Sequence, residues 1–192
     1  MKSLKNANLE EKNILLRVDL NVPVFQGKIT DKSRIDIIRL SVKKLQDKGN
    51  KIFLISHYGR PKGKKVKKLS LKFICQTLKK ELLLKKIFFL ENFEEKKIKN
   101  TLNKMNQGDV CLIENIRFNF EEEINDLNFV KKISKSFDIF VNDAFSVSHR
   151  KHASIVGFPK FLPSYAGYGL IEEIENINSF VNNSKKPNLA II

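Results

Sequence analysis

The sequence predicts an α/β fold: a Rossmann-like three-layer αβα domain with a doubly wound parallel sheet. Two observations predict it. Short apolar runs alternate with longer helical patterns along most of the chain. The runs are apolar almost throughout, without the polar-out alternation of a sheet wetted on one face, so helices must cover both faces.

The elements follow in order. "NILLRVDL" (13–20) is a strand. "TDKSRIDIIRLSVKKLQDKG" (30–49) is a helix: Thr30 or Asp31 can cap it, Ile35, Ile38, Val42 and Leu45 recur at helical spacing, and Gly49 is a stop signal. "KIFLIS" (51–56) is the second strand. "LSLKFICQTLKKELL" (69–83) is helical with Ser70 at its N-cap. "KIFFL" (86–90) is a strand, "EEKKIKNTLNKM" (94–105) a polar helix ending before Gly108, and "DVCLIE" (109–114) a strand. "NDLNFVKKISKSF" (125–137) is a helix capped by Asn125 or Asp126, and "DIFVND" (138–143) another strand. In such folds ligands sit beyond the carboxyl ends of the strands, so the post-strand loops are where function is sought.

Composition narrows the classes. At 192 residues and 42% hydrophobic, the chain suits one ordinary domain with a real core. The N-terminus has no apolar signal segment, and no run is long enough to span a membrane. Cys75 and Cys111 lie far apart without a CxxC, which fits buried thiols in a reducing compartment and a cytoplasmic location. The net charge of +15 is almost all lysine, scattered through every segment. A nucleic-acid footprint would be a clustered stripe, so this charge reads as a solvated surface.

Arginine is more selective. Only six of the 36 basic residues are arginines. A chain that defaults to lysine keeps arginine where a planar fork must grip a carboxylate or phosphate. Arg60, Arg117 and Arg150 each follow a strand, and Arg34 lies in the first turn of the helix after the first strand. Arg17 lies on that strand, two residues before Asp19, so the two are expected to share a face. Arg39 reads as a helix-surface residue. Four arginines therefore converge on one sheet edge, where a small, multiply charged anion would bind. Asp19 and Asn21 supply an acceptor and an amide, His57 a possible donor, and Gly59 a close backbone approach. The expected ligand carries a phosphate, a carboxylate and a hydroxyl.

Other chemistry is not signalled. There is no GxxxxGK[ST] and no GxGxxG. His149 and His152 lack a third metal ligand, and no serine or cysteine has an evident base.

"RVDLNVP" (17–23), "SHYGRPKG" (56–63), "LIENIRF" (112–118), "VNDAFSVSHRKHAS" (141–154) and "LPSYAGYGL" (162–170) together resemble the N-terminal half of the phosphoglycerate kinase family. The resemblance implies a glycolytic kinase that moves a phosphoryl group reversibly between ATP and the carboxylate of 3-phosphoglycerate. It implies substrate contacts from Asp19, Asn21, Arg34, His57, Tyr58, Gly59, Arg60, Arg117 and Arg150. Arg34 would be catalytic, stabilising the transferring phosphoryl, while His57, Arg60, Arg117 and Arg150 would form a basic patch for the 3-phosphate. ATP/ADP with Mg2+ would be bound by a C-terminal nucleotide-binding domain, absent here, so this chain alone is expected to be inactive. The partners would be 3-phosphoglycerate or 1,3-bisphosphoglycerate and that domain; a monomer without nucleic acid or membrane is expected. Residues 1–168 would be the substrate domain, 169–184 the interdomain hinge helix, and 185–192 a linker and the first strand of the missing domain. The sequence departs from the family at Tyr58, where leucine is usual, and at Ser146, where glycine is common. A stand-alone anion-binding protein and a basic nucleic-acid-binding module are the competing readings.

Overall fold

The computed structural model describes residues 2–183. The linker and strand expected at 185–192 lie outside them. In chain order the elements are β1 (Asn13–Val18), a hairpin of β2 (Val24–Phe25) and β3 (Lys28–Ile29), α1 (Ser33–Asp47), β4 (Lys51–Ile55), α2 (Cys75–Glu81), β5 (Ile87–Leu90), α3 (Glu95–Lys104), β6 (Val110–Ile113), α4 (Phe120–Glu123), α5 (Leu127–Ser134), β7 (Ile139–Asp143), β8 (Ser164–Ala166) and α6 (Tyr168–Asn183).

β1 and β4–β8 form one parallel sheet in the order β5-β6-β4-β1-β7-β8. Successive side chains of a strand point to opposite faces. Ile14 and Leu16 of β1, Ile52 and Leu54 of β4, and Val110 and Leu112 of β6 meet Ile35, Ile38, Val42 and Leu45 of α1 and Leu78 of α2 on one side. Leu15, Phe53, Ile55, Cys111 and Ile113 meet Ile98 and Leu102 of α3 and Val130 and Ile133 of α5 on the other. Both faces are dry, which is why the strands read as unbroken apolar runs. The chain steps outward from β1 through β4 to the edge strand β5, returns to fill β6 between β5 and β4, then crosses back to β7. The loops after β1 and β7 therefore diverge at the switch between the two windings.

The expected elements form, with shortened ends. The N-cap of α1 is Lys32, without a side-chain bond, rather than Thr30 or Asp31; Asp31, one residue earlier, takes the Ser33 N–H at 2.8 Å. Ser70 does cap, accepting from the Lys72 N–H, but the first turn, Leu71–Ile74, is a 3-10 helix before α2 begins. Asp126 caps α5 through the Phe129 N–H at 2.7 Å. The β2–β3 hairpin, α4 and β8 are additions; each is too short to carry a periodic pattern. Both cysteines are free and buried, as expected, and burial pushes both thiols upward.

Candidate anion-binding site

The carboxyl ends of β1, β4, β6 and β7 open on one edge of the sheet, and there the four arginines gather. His57, the second residue after β4, lies at the centre. The Arg17, Arg117, Arg150 and Arg34 charges all reach it; together with burial, the larger cause, they push its pKa down to about 2. Its Nδ1 lies 3.1 Å from Arg17 Nη2. Arginine cannot accept a hydrogen bond, so Nδ1 accepts and the proton sits on Nε2. His57 is thus a neutral N–H donor among cations.

Arg17 sits deeper than the sequence suggested. It is 1% exposed, and burial lowers its pKa to about 10, so it stays charged. Its Nε–H donates to Ser154 Oγ at 3.1 Å. That hydroxyl donates to Glu122 Oε1 at 2.6 Å, and the Ser154 N–H donates to Glu122 Oε2 at 2.8 Å. His152 Nδ1 lies 3.6 Å from the same carboxylate. Burial alone would raise the Glu122 pKa, but His152, Arg17 and the Ser154 donors outweigh it and hold the carboxylate below its ordinary range. Arg17 and Asp19 do not form a shared pair. β1 ends at Val18, so strand alternation does not extend to Asp19, and Arg17 turns into the buried Ser56, His57 and Ser154 cluster. Glu122 and Ser154 carried no sequence signal, since each is remote from its partners in the chain.

Arg117 follows β6 in a 3-10 turn capped by Asn115, whose Oδ1 accepts the Arg117 N–H at 3.1 Å. Its Nη1 donates to Gly59 O at 3.2 Å, while Glu123 is 3.8 Å from Nε. Burial, then the Arg150 charge, lowers its pKa, with Arg60 a smaller contributor. The buried Nε atoms of Arg117 and Arg150 have no hydrogen-bond partner among the described residues. A buried N–H of a cation left unpaired is costly. Arg60 is exposed at the rim.

Arg34, on the first turn of α1, forms an ion pair with Asp19 Oδ2. Asp19 Oδ1 accepts the Asn21 N–H at 2.9 Å, and Asn21 Oδ1 in turn accepts the Gly59 N–H at 2.9 Å. A cavity of about 240 Å³ beside this pair is lined by Asp19, Arg34, Asp143, Ser146 and Glu173, among others.

Two candidates have packing roles of their own. The Tyr58 ring tilts against Phe73, with centroids 5.1 Å apart, and lines a groove with Val24 and Lys72. Gly59 adopts φ +63°, and a Cβ there would meet Leu69 Cδ2 at 2.8 Å. Packing on Leu69, together with the left-handed backbone, thus accounts for this glycine. Arg39 behaves as a surface residue, pairing with Asp36 and Glu81. Among the described residues no group of three or more His, Cys, Asp or Glu could hold a metal ion, and no helix is long and apolar enough to cross a membrane.

The phosphoglycerate kinase family model matches residues 4–192. The chain belongs to the phosphoglycerate kinase family. It is 43% identical over 190 residues to the phosphoglycerate kinase of Wolbachia pipientis from Culex pipiens, covering 99% of this chain and 48% of that protein. Among solved structures, the phosphoglycerate kinase of Pyrococcus horikoshii superposes with a TM-score of 0.87 at 29% identity, covering 98% of this chain and 47% of its own. The Coxiella burnetii phosphoglycerate kinase gives 0.82 at 34% identity, covering 96% of this chain and 46% of its own. The chain thus spans about half the length of the phosphoglycerate kinases it matches, and corresponds to their N-terminal half.

Proposed function

We propose that this chain is the substrate-binding half of a phosphoglycerate kinase, which holds 3-phosphoglycerate or 1,3-bisphosphoglycerate for phosphoryl exchange with ATP/ADP. The observation that carries the proposal is the set of guanidiniums around neutral His57, with two buried Nε–H groups lacking partners. Such a pocket suits a phosphate, whose oxygens accept several donors at once. Arg60, Arg117, Arg150 and the His57 Nε2–H would hold the 3-phosphate.

Asp19 and Arg34 would engage the other end of the substrate. Arg34 is the catalytic residue of the proposal: while one N–H stays on Asp19, its remaining N–H groups would reach the substrate carboxylate and neutralise charge developing there. Asn21 holds the Gly59 N–H and so positions the loop that bears Arg60. No protein nucleophile is required, because the substrate carboxylate is itself the acceptor. Positioning and charge neutralisation do the chemistry. The nucleotide and its Mg2+ form the other part of the reaction. That part of the reaction is assigned to a C-terminal nucleotide-binding domain, joined through residues 169–184. The distal half of α6 supports this reading, since Ile177, Phe180 and Val181 are exposed there without a covering element among the described residues.

Titration calorimetry with 3-phosphoglycerate tests the proposal. Weak, salt-sensitive binding is expected, with Arg60→Ala and Arg150→Ala each reducing affinity about tenfold or more, as loss of a charge-assisted contact would. Salt-independent binding, or variants equal to wild type, would refute it.

A further inference from the structure

Ser146 stands in the loop after β7, exposed to the cavity shared with Asp19 and Arg34. Its hydroxyl lies 2.5 Å from Asp19 Oδ2, the same oxygen that pairs with Arg34. The other oxygen already accepts the Asn21 N–H. A carboxylate oxygen has two lone pairs, so Oδ2 is fully subscribed. We propose that Ser146 is a specificity-determining residue: it occupies the acceptor that a ligand hydroxyl would otherwise use, and so weakens selection for that hydroxyl.

The reason is an exchange of like for like. A ligand hydroxyl that reaches Asp19 Oδ2 must displace the Ser146 hydroxyl, and one hydroxyl-to-carboxylate bond replaces another. The displaced serine sits at the surface, where water solvates it. The ligand hydroxyl therefore gains little, and a ligand without it loses little. Removing the serine hydroxyl leaves Asp19 Oδ2 open, and a ligand hydroxyl then adds a charge-assisted bond within a largely buried site. Arg34 and the arginines around His57 are unaffected, so the consequence is confined to the hydroxyl-bearing carbon.

This inference rests on the proposed substrate class, and one experiment separates the two. Wild type, Ser146→Ala and Ser146→Thr are each titrated with 3-phosphoglycerate and with 3-phosphooxypropanoate, its analogue lacking the hydroxyl. Wild type and Ser146→Thr are expected to bind the two ligands within about threefold, whereas Ser146→Ala favours 3-phosphoglycerate by about tenfold or more, the size of one hydrogen bond to a charged group. A serine with a merely structural role would change both affinities together and leave their ratio fixed. An unchanged ratio, or a wild type that already discriminates more than Ser146→Ala, overturns the inference while the substrate reading stands. Failure of both ligands to bind wild type overturns the substrate reading and takes this inference with it.

Discussion

At the residue scale, the site is governed by where protons and charges sit. His57 illustrates this, because its buried imidazole stays neutral beside Arg17, Arg117, Arg150 and Arg34. Its folded pKa, about 2, is depressed below the ordinary 6.5. The unfolded chain therefore takes up the proton first as pH falls. The stability contribution is fully present above about pH 6.5 and is lost progressively towards about pH 2. Between about pH 7.5 and pH 5.5 this one group should cost about 1.4 kcal/mol of stability. Denaturant melts of wild type and His57→Asn across that interval check it: the asparagine oxygen can still accept from Arg17, and the variant should lose this part of the slope. Equal slopes would mean that His57 titrates normally in the folded protein. The positions of the arginines were legible in the sequence because arginine is scarce in a lysine-rich chain. The neutrality of His57 was not, because it depends on burial and on four charges brought from distant segments.

At the element scale, loops become rigid through contacts that no local pattern announces. The segment after β4 is tied down at several points: Tyr58 O accepts from Asn115 at 2.7 Å, Gly59 O from Arg117, and the Gly63 N–H donates to Arg117 O at 3.1 Å. Glu114 fastens the start of the next helical segment, accepting the Ser70 hydroxyl at 2.6 Å and the Leu71 N–H at 2.7 Å. The lysines from Lys64 to Lys68, by contrast, are exposed. α6 is anchored at its first turn. Asp143, at the end of β7, accepts the Leu170 N–H at 2.8 Å, and burial raises its pKa. The approach there is so close that a Cβ on Gly169 would lie 2.4 Å from Ile37 Cγ2 and 3.1 Å from Ile37 O. Gly169→Ala should destabilise the fold by about 1–3 kcal/mol through overpacking. Adding Ile37→Ala should recover part of that loss in the same melts. Full stability of Gly169→Ala alone would show that α6 does not depend on this contact.

At the scale of the whole molecule, the described residues form one parallel sheet with helices on both faces, and the arginine cluster lies along its carboxyl edge. The reaction proposed for the family needs a nucleotide site as well, so the chain alone should form no ADP from MgATP and 3-phosphoglycerate. A coupled assay checks this, and turnover proportional to chain concentration would place a nucleotide site in this half. The sequence by itself determined the layered α/β architecture, the post-strand loops and the arginines that crowd one edge. These follow from apolar periodicity, strand order in the chain and residue scarcity, which are local or compositional properties. Tertiary structure alone decided that Arg17 is buried behind His57 and supported by Glu122 through Ser154. It also decided that Tyr58 packs against Phe73 and that the Ser146 hydroxyl reaches Asp19, 127 residues away. Those outcomes depend on which strand ends the sheet sets side by side, and so on pairings between residues far apart in the chain.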